Sequence, residues 1–276
     1  MKKYVILNGK LIEEDKANIS VFNKAIFFDF GVYDSMKVVK KKLFFLDFHV
    51  DRLLQSAKIL KLKHRFSKKE ISEWIKLLIE KNDLENAMLR FLLLGAGGKD
   101  EEPKLFIFSV GLKFYHKRDY KKGIKVITYN GERRVPQAKS KDLLINFLAL
   151  REAMDKAAKD ALLVDADDFV REGTRTNFFA IKDSVLYTAP LSDVLEGVTR
   201  KIVVMVAKEN NIKLIEKKIK LKELKEYDEF FITSTSMNIL PITQIDDYVI
   251  EEGVGPITKF LIKAFKEYYD KEIFNK

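Results

Sequence analysis

The sequence predicts an α+β protein with two domains. Strand-like runs follow one another in both halves of the chain, helical patterns are interspersed at the edges, and few segments alternate in the βαβ order. The glycine-rich segment GAGG at 95–98 lacks the spacing of a dinucleotide-binding motif, and no helical pattern follows it. We therefore interpret that segment as a loop and expect no doubly wound nucleotide-binding sheet.

Local patterns define the elements of the first half. YVILNGKLI predicts a hairpin, because two β-rich runs flank Asn8-Gly9, a type I′ turn signal. MKVVKKKLFFLD predicts two strands joined by a lysine-rich turn, and apolar residues at helical spacing predict a helix over 48–62. Ser67, with Glu70 three residues later, forms a capping-box pattern that opens a second helix. AMLRFLLL and KLFIFSV then predict two more strands.

The second half has a different pattern, in which polar segments interrupt regular structure. Its predicted elements, in order, are strand IKVITY, a helix from about 141 to 158, strands ALLVD, NFFAI and VLYTA, a helix over 199–210, strand IKLIEKKI, a short helix over 221–224, strand EFFITS, and an amphipathic helix over 255–269. Glu172-Gly173 falls in a polar turn between two of these strands.

A polar, charged stretch separates the halves and is the best linker candidate. We expect a small N-terminal domain over 1–114, a linker over 115–121, and a larger C-terminal domain over 122–276. The length of 276 residues allows two modest domains. Hydrophobic residues make up 47% of the chain, which is enough to build a core in each.

The charge and composition exclude several kinds of function. The formal charge of +10 could attract a polyanion, but the 51 basic residues are interleaved with 41 acidic ones, so we expect no nucleic-acid partner. The absence of cysteine excludes disulfides and thiolate chemistry, and the three histidines show no metal-ligand spacing. No apolar run reaches the length of a membrane span, and the N-terminus lacks a signal-peptide core, so we expect a cytoplasmic protein without membrane contact.

Four polar segments could carry chemistry. Lys139 lies just before a predicted helix, where a partly desolvated amine could form a Schiff base, although an ordinary surface lysine is the simpler interpretation. Glu172 could hold a protonated ring nitrogen or lie solvated in its turn. Two more segments suit a phosphate: Gly197, Val198 and Thr199 open a helix, and Ser234, Thr235 and Ser236 follow a strand.

Taken together, these segments resemble the fold-type IV pyridoxal-phosphate enzymes, a family that includes D-amino-acid and branched-chain aminotransferases and aminodeoxychorismate lyase. The resemblance runs from NGKLI through FGVYDSMKV, FLDFHVDRLLQSAKIL, KSKDLLINFLALREA, EGTRTNFF and VLEGVTRKIVV to FITSTSMNILPI. It implies a two-domain fold with a smaller N-terminal α/β sandwich and a larger C-terminal domain with a β-barrel-like core that carries the Schiff-base lysine. It also implies a homodimer with the active site near the interface.

The resemblance assigns a role to each candidate. Lys139 is similar to the Schiff-base lysine of the family and would also move the Cα proton. Lys141, two residues later, does not match that lysine. Glu172 is similar to the carboxylate that pairs with the pyridine nitrogen, and Leu195 to the apolar residue on one face of the ring. The phosphate would be bound by Arg52, Gly197, Val198, Thr199, Ser234 and Thr235. Tyr33 is similar to an aromatic residue of the substrate pocket.

The implied substrate is an amino acid, with a 2-oxo acid of the 2-oxoglutarate or pyruvate type as acceptor. TSTS and Lys37 resemble the D-amino-acid enzymes, although Leu94-Gly95-Ala96 replaces their carboxylate-binding segment. Arg90 in an apolar strand would need either a substrate carboxylate or a structural ion pair. Ser236 and Arg175 are further candidates for substrate contact. We predict a D-amino-acid transaminase; L-branched-chain transamination, aminodeoxychorismate lyase activity and a non-catalytic protein are the alternatives.

Overall fold

The computed structural model describes residues 3–98, 101–112 and 115–274. The chain folds into two compact units, one made of Met1–Lys113 with Ala138–Asp142 and the other of Phe114–Gln137 with Leu143–Lys276. The segment Ala138–Asp142, which contains Lys139, therefore groups with the first unit. Phe114, where we placed the end of the first domain, lies outside the described residues.

The first unit is built on a six-stranded sheet with the strand order β2-β1-β6-β5-β3-β4, in which every neighbouring pair is antiparallel. Helix α2 packs on β3, and α3 packs on β1, β6 and α2. The bounds are β1 Tyr4–Leu7, β2 Lys10–Glu13, α1 Lys24–Phe27, β3 Gly31–Val39, β4 Lys42–Leu43, α2 Leu46–Ile59, α3 Lys68–Lys81, β5 Ala87–Leu94 and β6 Lys104–Val110. A 3-10 turn covers Glu14–Lys16.

Two local sequence signals in the first unit form the structures that they predict. Asn8 and Gly9 both have positive φ, 48° and 84°, as a type I′ turn requires, and the predicted hairpin is confirmed. The predicted capping box is also confirmed, because Ser67 Oγ accepts the N–H of Glu70 at 3.2 Å and Ser67 N–H donates to Glu70 Oε2 at 2.8 Å. The apolar faces of α2 and α3 meet one face of the sheet in a buried cluster that includes Val50, Leu53, Ile71, Ile75, Met36, Leu89 and Phe91.

The second unit contains a sheet that closes on itself. Strands β10, β14, β15, β7, β8 and β9 follow one another, and β9 pairs back to β10 through Glu172 and Asn177. The bounds are α4 Lys117–Lys122, β7 Ile124–Asn130, α5 Leu144–Asp155, β8 Asp160–Val164, β9 Phe169–Gly173, β10 Asn177–Lys182, β11 Val185–Thr188, α6 Val198–Glu209, β12 Leu214–Glu216, β13 Ile219–Lys220, β14 Glu229–Ser234, β15 Asn238–Ile245, β16 Tyr248–Val249 and α7 Pro256–Phe274. This closed sheet confirms the predicted barrel-like core.

The strand prediction for the second unit was wrong in several places, of which three bear on the sheet. Glu172 lies inside strand β9 rather than in a turn, because β9 pairs with β8 and β13 as well as with β10. IKLIEKKI forms two short strands that pair with different partners, β12 with β11 and β13 with β9. Strand β15 was not predicted, although Pro241 within it pairs with Phe231. Strand β9 also pairs with the distant β13, and β15 pairs with the distant β7 as well as with its neighbour β14.

The helix boundaries also differ from those predicted. The segment expected to be a linker forms α4, where Tyr120 donates its hydroxyl to the carbonyl of Met237 at 2.8 Å. Helix α5 begins at Leu144 rather than near residue 141, since the preceding residues belong to the first unit. Among the described helices, none combines the length and apolar character that crossing a membrane requires.

Candidate functional site

In the first unit, the backbone of Lys139 is held on both sides. Its N–H donates to Ser56 Oγ at 3.0 Å, and its carbonyl accepts the N–H of Tyr33 at 2.9 Å. Ser140 forms an antiparallel bridge with Val32, and Lys141 N–H donates to the Gly31 carbonyl at 3.0 Å. The segment therefore lies along the start of β3 like a short extra strand, which fixes the direction in which Lys139 points.

The side chain of Lys139 is half-buried, and its Nζ lies 4.6 Å from the centre of the Tyr33 ring. An ammonium over an aromatic face is attracted by the ring quadrupole. The neighbouring Lys141 is placed differently, because its Nζ lies 3.5 Å from Asp29 Oδ1. The two lysines are thus distinguished by their surroundings, and Lys139 is the one held beside the aromatic residue predicted to line the substrate pocket.

Arg52 lies in a buried charged cluster with Asp34 and His49. Its Nε and Nη2 donate to the two oxygens of Asp34, each at 2.8 Å, and His49 Nδ1 lies 2.7 Å from Asp34 Oδ1. Burial alone would raise the pKa of Asp34, but the charge of Arg52 and the hydrogen bonds of the cluster hold it well below its usual range. Burial lowers the pKa of His49, which favours a neutral ring.

Helix α2 presents these groups on one face. His49, Arg52 and Ser56 are three and four residues apart, so they lie on one polar stripe beside the apolar stripe of Val50 and Leu53. Arg52 reaches Asp34 on β3, and Ser56 reaches the backbone of Lys139. One helix face therefore positions both the predicted phosphate ligand and the predicted Schiff-base lysine.

One face of the six-stranded sheet carries the predicted substrate residues of the first unit. Tyr33 and Lys37 alternate along β3 with core residues, and Arg90 on β5 pairs across with Ser35. Lys37 is buried, and burial lowers its pKa to about 8. The side chain of Arg90 is exposed to solvent, so the desolvated charge that we expected in this strand is not present.

In the second unit, Glu172 is a buried carboxylate with a donor at each oxygen. Arg133 Nη1 donates to Oε1 at 3.2 Å, and the backbone N–H of Leu195 donates to Oε2 at 3.1 Å. The pairing of β9 with β8 is irregular between Leu162 and Val164, next to this residue. Bulges of this kind re-aim side chains near functional sites.

Asn177 joins the predicted cofactor residues of the second unit. It pairs with Glu172 across β9 and β10, and its Nδ2 donates to the carbonyl of Leu195 at 2.7 Å. It also lies against Gly197, where an added Cβ would collide with Asn177 Oδ1. Gly197 is the N-cap of α6, so the free N–H groups at Val198 and Thr199 lie close to the carboxylate site.

The second predicted phosphate segment is the turn between β14 and β15. Ser234 pairs with Asn238 across this turn, and Ser234 Oγ lies 3.2 Å from Ser236 Oγ. Thr233, one residue earlier, pairs with Asn177, which places the turn beside the start of α6. The half-buried hydroxyls of Ser234, Thr235 and Ser236 can therefore act with the α6 N-terminus toward one anion.

Arg175 lies at the exposed tip of the turn that connects β9 to β10. The turn itself is anchored by Asp160, which accepts hydrogen bonds from both Thr174 and Thr176. Asp160 is fully buried, and burial raises its pKa. The anchor fixes the end of β9, and Arg175 extends away from the core.

Sequence reasoning missed Asp34, His49, Arg133 and Asn177 as parts of these sites. The spacing of His49 and Arg52, three residues apart in a predicted helix, was a usable signal that they share a face. Nothing in the sequence distinguishes Arg133 from Arg134, because their difference arises only when the loop is folded beside β9.

Comparison with known proteins gives one consistent result. The Amino-transferase class IV family profile matches residues 31–245. A putative branched-chain-amino-acid aminotransferase of Methanocaldococcus jannaschii is 33% identical over 97% of this chain and 96% of its own length. A D-alanine aminotransferase of Staphylococcus epidermidis is 31% identical, covering 96% of this chain and 97% of its own length.

Solved structures agree with the sequence relatives. The branched-chain amino acid aminotransferase of Escherichia coli has a TM-score of 0.90 at 26% identity, covering 98% of this chain and 95% of its own. The branched-chain aminotransferase of Thermoproteus uzoniensis, solved with norvaline, has a TM-score of 0.87 at 28% identity, covering 97% and 94%. The class IV family depends on pyridoxal phosphate, and its members act on amino acids and 2-oxo acids.

Proposed function

The chain belongs to the class IV aminotransferases, and from that premise we propose that it is a pyridoxal-phosphate-dependent transaminase whose amino donors are D-amino acids. The observation that carries the proposal is the convergence of three features on Asn177: buried Glu172, the N-terminus of α6 and the Ser234 turn. Together they offer one anion for a ring nitrogen and a set of N–H and O–H donors for a phosphate.

The residues present fit the cofactor. The buried carboxylate of Glu172 suits a protonated pyridine nitrogen, and buried Leu195, whose backbone contacts that carboxylate, suits one ring face. The phosphate would be bound by Arg52, Gly197, Val198, Thr199, Ser234 and Thr235. Lys139 would hold the cofactor covalently. When bound, pyridoxal phosphate supplies the electron sink for the Cα–H bond of the amino acid.

Lys139 is the proposed proton carrier. Its backbone is fixed by hydrogen bonds to Ser56 and Tyr33, so the side chain can move while the Cα atom stays in place. Nζ would take the proton from the substrate Cα as general base and would then act as general acid. With the cofactor bound, Glu172 would favour the protonated ring nitrogen, because a buried anion favours a cation beside it.

We propose that residues of the first unit bind the substrate carboxylate. Lys37 and Arg90 lie on the same face of the six-stranded sheet as Tyr33, on adjacent strands. With a pKa of about 8, Lys37 is largely protonated at neutral pH and can pair with an anion. Ser236 and exposed Arg175 are further proposed contacts. This pair of cations, together with the TSTS segment, supports D-amino-acid donors.

L-branched-chain transamination is the second candidate. Its support is that the Methanocaldococcus jannaschii relative and the matched structures named above are branched-chain enzymes. Single-turnover half-reactions of the cofactor-loaded enzyme with D-alanine, D-glutamate and L-leucine separate the two. We expect rapid loss of the yellow colour with the D-amino acids. Faster reaction with L-leucine would assign the chain to the branched-chain enzymes, and formation of pyruvate from aminodeoxychorismate would indicate the lyase instead.

Replacement of Lys139 tests the cofactor assignment itself. Lys139→Ala should abolish covalent attachment, seen as loss of the cofactor band after borohydride reduction and denaturation. Lys141→Ala is the matched control, because Lys141 is two residues away and paired with Asp29. A purified wild-type protein that takes up no pyridoxal phosphate, or a Lys139→Ala protein with full turnover, would overturn the proposal.

We further propose a homodimer. Each unit exposes apolar side chains that a monomer would leave in water. In the first unit they are Val21, Phe22, Ile26, Phe27 and Phe28, and in the second Leu144, Phe147, Leu148 and Met154. Light scattering should give twice the chain mass for the wild type. Phe27→Ser with Phe28→Ser should shift it toward the monomer, whereas Phe260→Ser, an exposed residue on α7, should not.

A further inference from the structure

Arg133 lies beside Glu172 in the irregular segment between β7 and α5. Its Nη1 is 3.2 Å from Glu172 Oε1, and both side chains are only 7% exposed. The same guanidinium is held by the chain around it, since it donates to the carbonyls of Pro136 at 3.1 Å and Val135 at 3.4 Å. A cation fixed in this way applies a constant field to the carboxylate.

A second arginine fastens the surrounding chain. Arg171, next to Glu172 on β9, forms ion pairs with Asp165 and Asp193 and lies 3.9 Å from Glu132. Glu132 immediately precedes Arg133, and Asp193 lies two residues before Leu195, the other donor to Glu172. Both segments that supply donors to Glu172 are thus tied to the strand that carries it.

Two ionisable groups on strands that pair with β9 have described partners other than Glu172. Asp160 on β8 accepts from Thr174 and Thr176, and Lys220 on β13 donates to the carbonyl of Asp167 at 2.6 Å. Asp165 and Asp193 are paired with Arg171, as above. Arg133 forms a described ion pair with the carboxylate of Glu172 in the second unit.

We propose that Arg133 is a positioning residue that keeps Glu172 ionised and fixed for the cofactor ring nitrogen. It acts through Glu172 and has no contact with the substrate in this role, and the inference rests on the proposed function. A buried carboxylate is favoured in its neutral form by desolvation, and an adjacent cation reverses this preference. Without Arg133, Glu172 should take up a proton at higher pH and should then no longer pair with a protonated ring nitrogen.

Three variants test this inference. Arg133→Met removes the charge, Arg133→Lys keeps it, and Arg134→Met removes the same charge from the adjacent exposed residue as the matched control. In the protein without cofactor, the carboxyl carbon signal of Glu172 is followed against pH by NMR. We expect its titration midpoint to rise by about one pH unit or more in Arg133→Met. Arg133→Lys and Arg134→Met should remain close to the wild type.

The second measurement is the affinity for pyridoxal phosphate between pH 5.5 and 8. The wild type should change little, whereas Arg133→Met should lose about tenfold or more at the acidic end, in step with the raised midpoint. The sign follows from the need for ionised Glu172, which is lost as pH falls through that midpoint. Arg133→Gln replaces Arg133→Met if the latter does not fold.

The outcomes separate the two proposals. If the wild type binds no pyridoxal phosphate at any pH, the proposed function fails, and the NMR titration still decides whether Arg133 controls Glu172. If the wild type binds it and Arg133→Met matches Arg134→Met at every pH, the role of Arg133 is refuted. An acid-side loss in Arg133→Lys as large as in Arg133→Met would also refute it, because the charge would then not be the cause.

Discussion

Each unit buries a candidate-site carboxylate next to an arginine, Asp34 beside Arg52 and Glu172 beside Arg133, and the two pairs are built differently. In the first unit, Asp34 receives Nε and Nη2 of Arg52 at 2.8 Å each, together with His49 and the N–H of Ser35 at 2.7 Å. In the second unit, the described donors to Glu172 include Arg133 Nη1, at the longer distance of 3.2 Å, and the backbone N–H of Leu195. Bidentate pairing at short distances fixes geometry as well as charge.

The difference indicates opposite roles for the same two residue types. Four donors occupy Asp34, which corresponds to the full acceptor capacity of a carboxylate, so Asp34 serves to hold Arg52. In the second unit the arginine supports the carboxylate. The arginine is the proposed ligand in the first unit and the carboxylate is the proposed ligand in the second. Variants at each position should therefore separate folding from cofactor chemistry.

The largest effect is expected at Asp34. Asp34→Asn leaves Arg52 facing a neutral amide in a buried site, which should reduce the free energy of unfolding by about 3–5 kcal/mol. Denaturant unfolding of the protein without cofactor measures this loss. Asp51→Asn removes an exposed partner of Lys68 from α2, the helix that also carries Arg52, and should change stability by about 1 kcal/mol or less. Equal losses in the two variants would contradict the anchoring role.

Substitution of Glu172 should affect the reaction rate more than the stability of the fold. Glu172→Gln keeps the shape and an acceptor for the N–H of Leu195 but removes the charge, so the rate of the half-reaction should fall about 10²–10³-fold. Stopped-flow absorbance measures that rate, and a thermal melt checks that the fold is retained. Glu196→Gln, at an exposed glutamate nearby, should react like the wild type. A rate for Glu172→Gln within tenfold of the wild type would argue against its role at the ring.

The pH dependence of stability should come more from the first unit. His49 has a lowered pKa when folded, so the unfolded chain binds more protons below about pH 6.5, the ordinary histidine value. Stability should therefore be full above that pH and decline as pH falls. The ionised Asp34 adds a further loss below its ordinary pKa of about 3.8, because its folded pKa is depressed.

Substitution of His49 tests whether this residue causes the loss of stability at acidic pH. His49→Gln should flatten the decline of the unfolding free energy between pH 6.5 and 5, measured by denaturant titration at each pH. His116→Gln, at an exposed histidine before α4, is the control and should keep the wild-type slope. An unchanged slope in His49→Gln would place the acid sensitivity elsewhere.

The smallest effect is expected at Ser56. Ser56→Ala removes the acceptor for the N–H of Lys139 and should weaken pyridoxal phosphate binding by about fivefold, equivalent to about 1 kcal/mol. Equilibrium titration of the protein without cofactor measures the affinity. Ser72→Ala removes a comparable hydroxyl contact on α3, to the carbonyl of Lys68, and should leave the affinity unchanged. Equal affinities in the two variants would show that this contact does not position the lysine.

Elements that depend on local chemistry could be predicted from the sequence. The Asn8-Gly9 hairpin and the Ser67–Glu70 capping box follow from turn geometry and orphan N–H groups, which neighbouring residues decide alone. Strand β9 could not be predicted this way, because its polar residues become a strand only by pairing with β8, β10 and β13. Strand character depends on partners that can lie far away in sequence.

The sequence by itself determined the family, and it predicted Lys139 as the Schiff-base lysine and the residues that would bind a phosphate and a ring nitrogen. Only the tertiary structure decided which groups support them. It placed Asp34 and His49 around Arg52, Arg133 beside Glu172, and Asn177 between the α6 N-terminus and the Ser234 turn. The physical reason is that burial and charge pairing depend on three-dimensional proximity, whereas a sequence motif records only the order of residues along the chain.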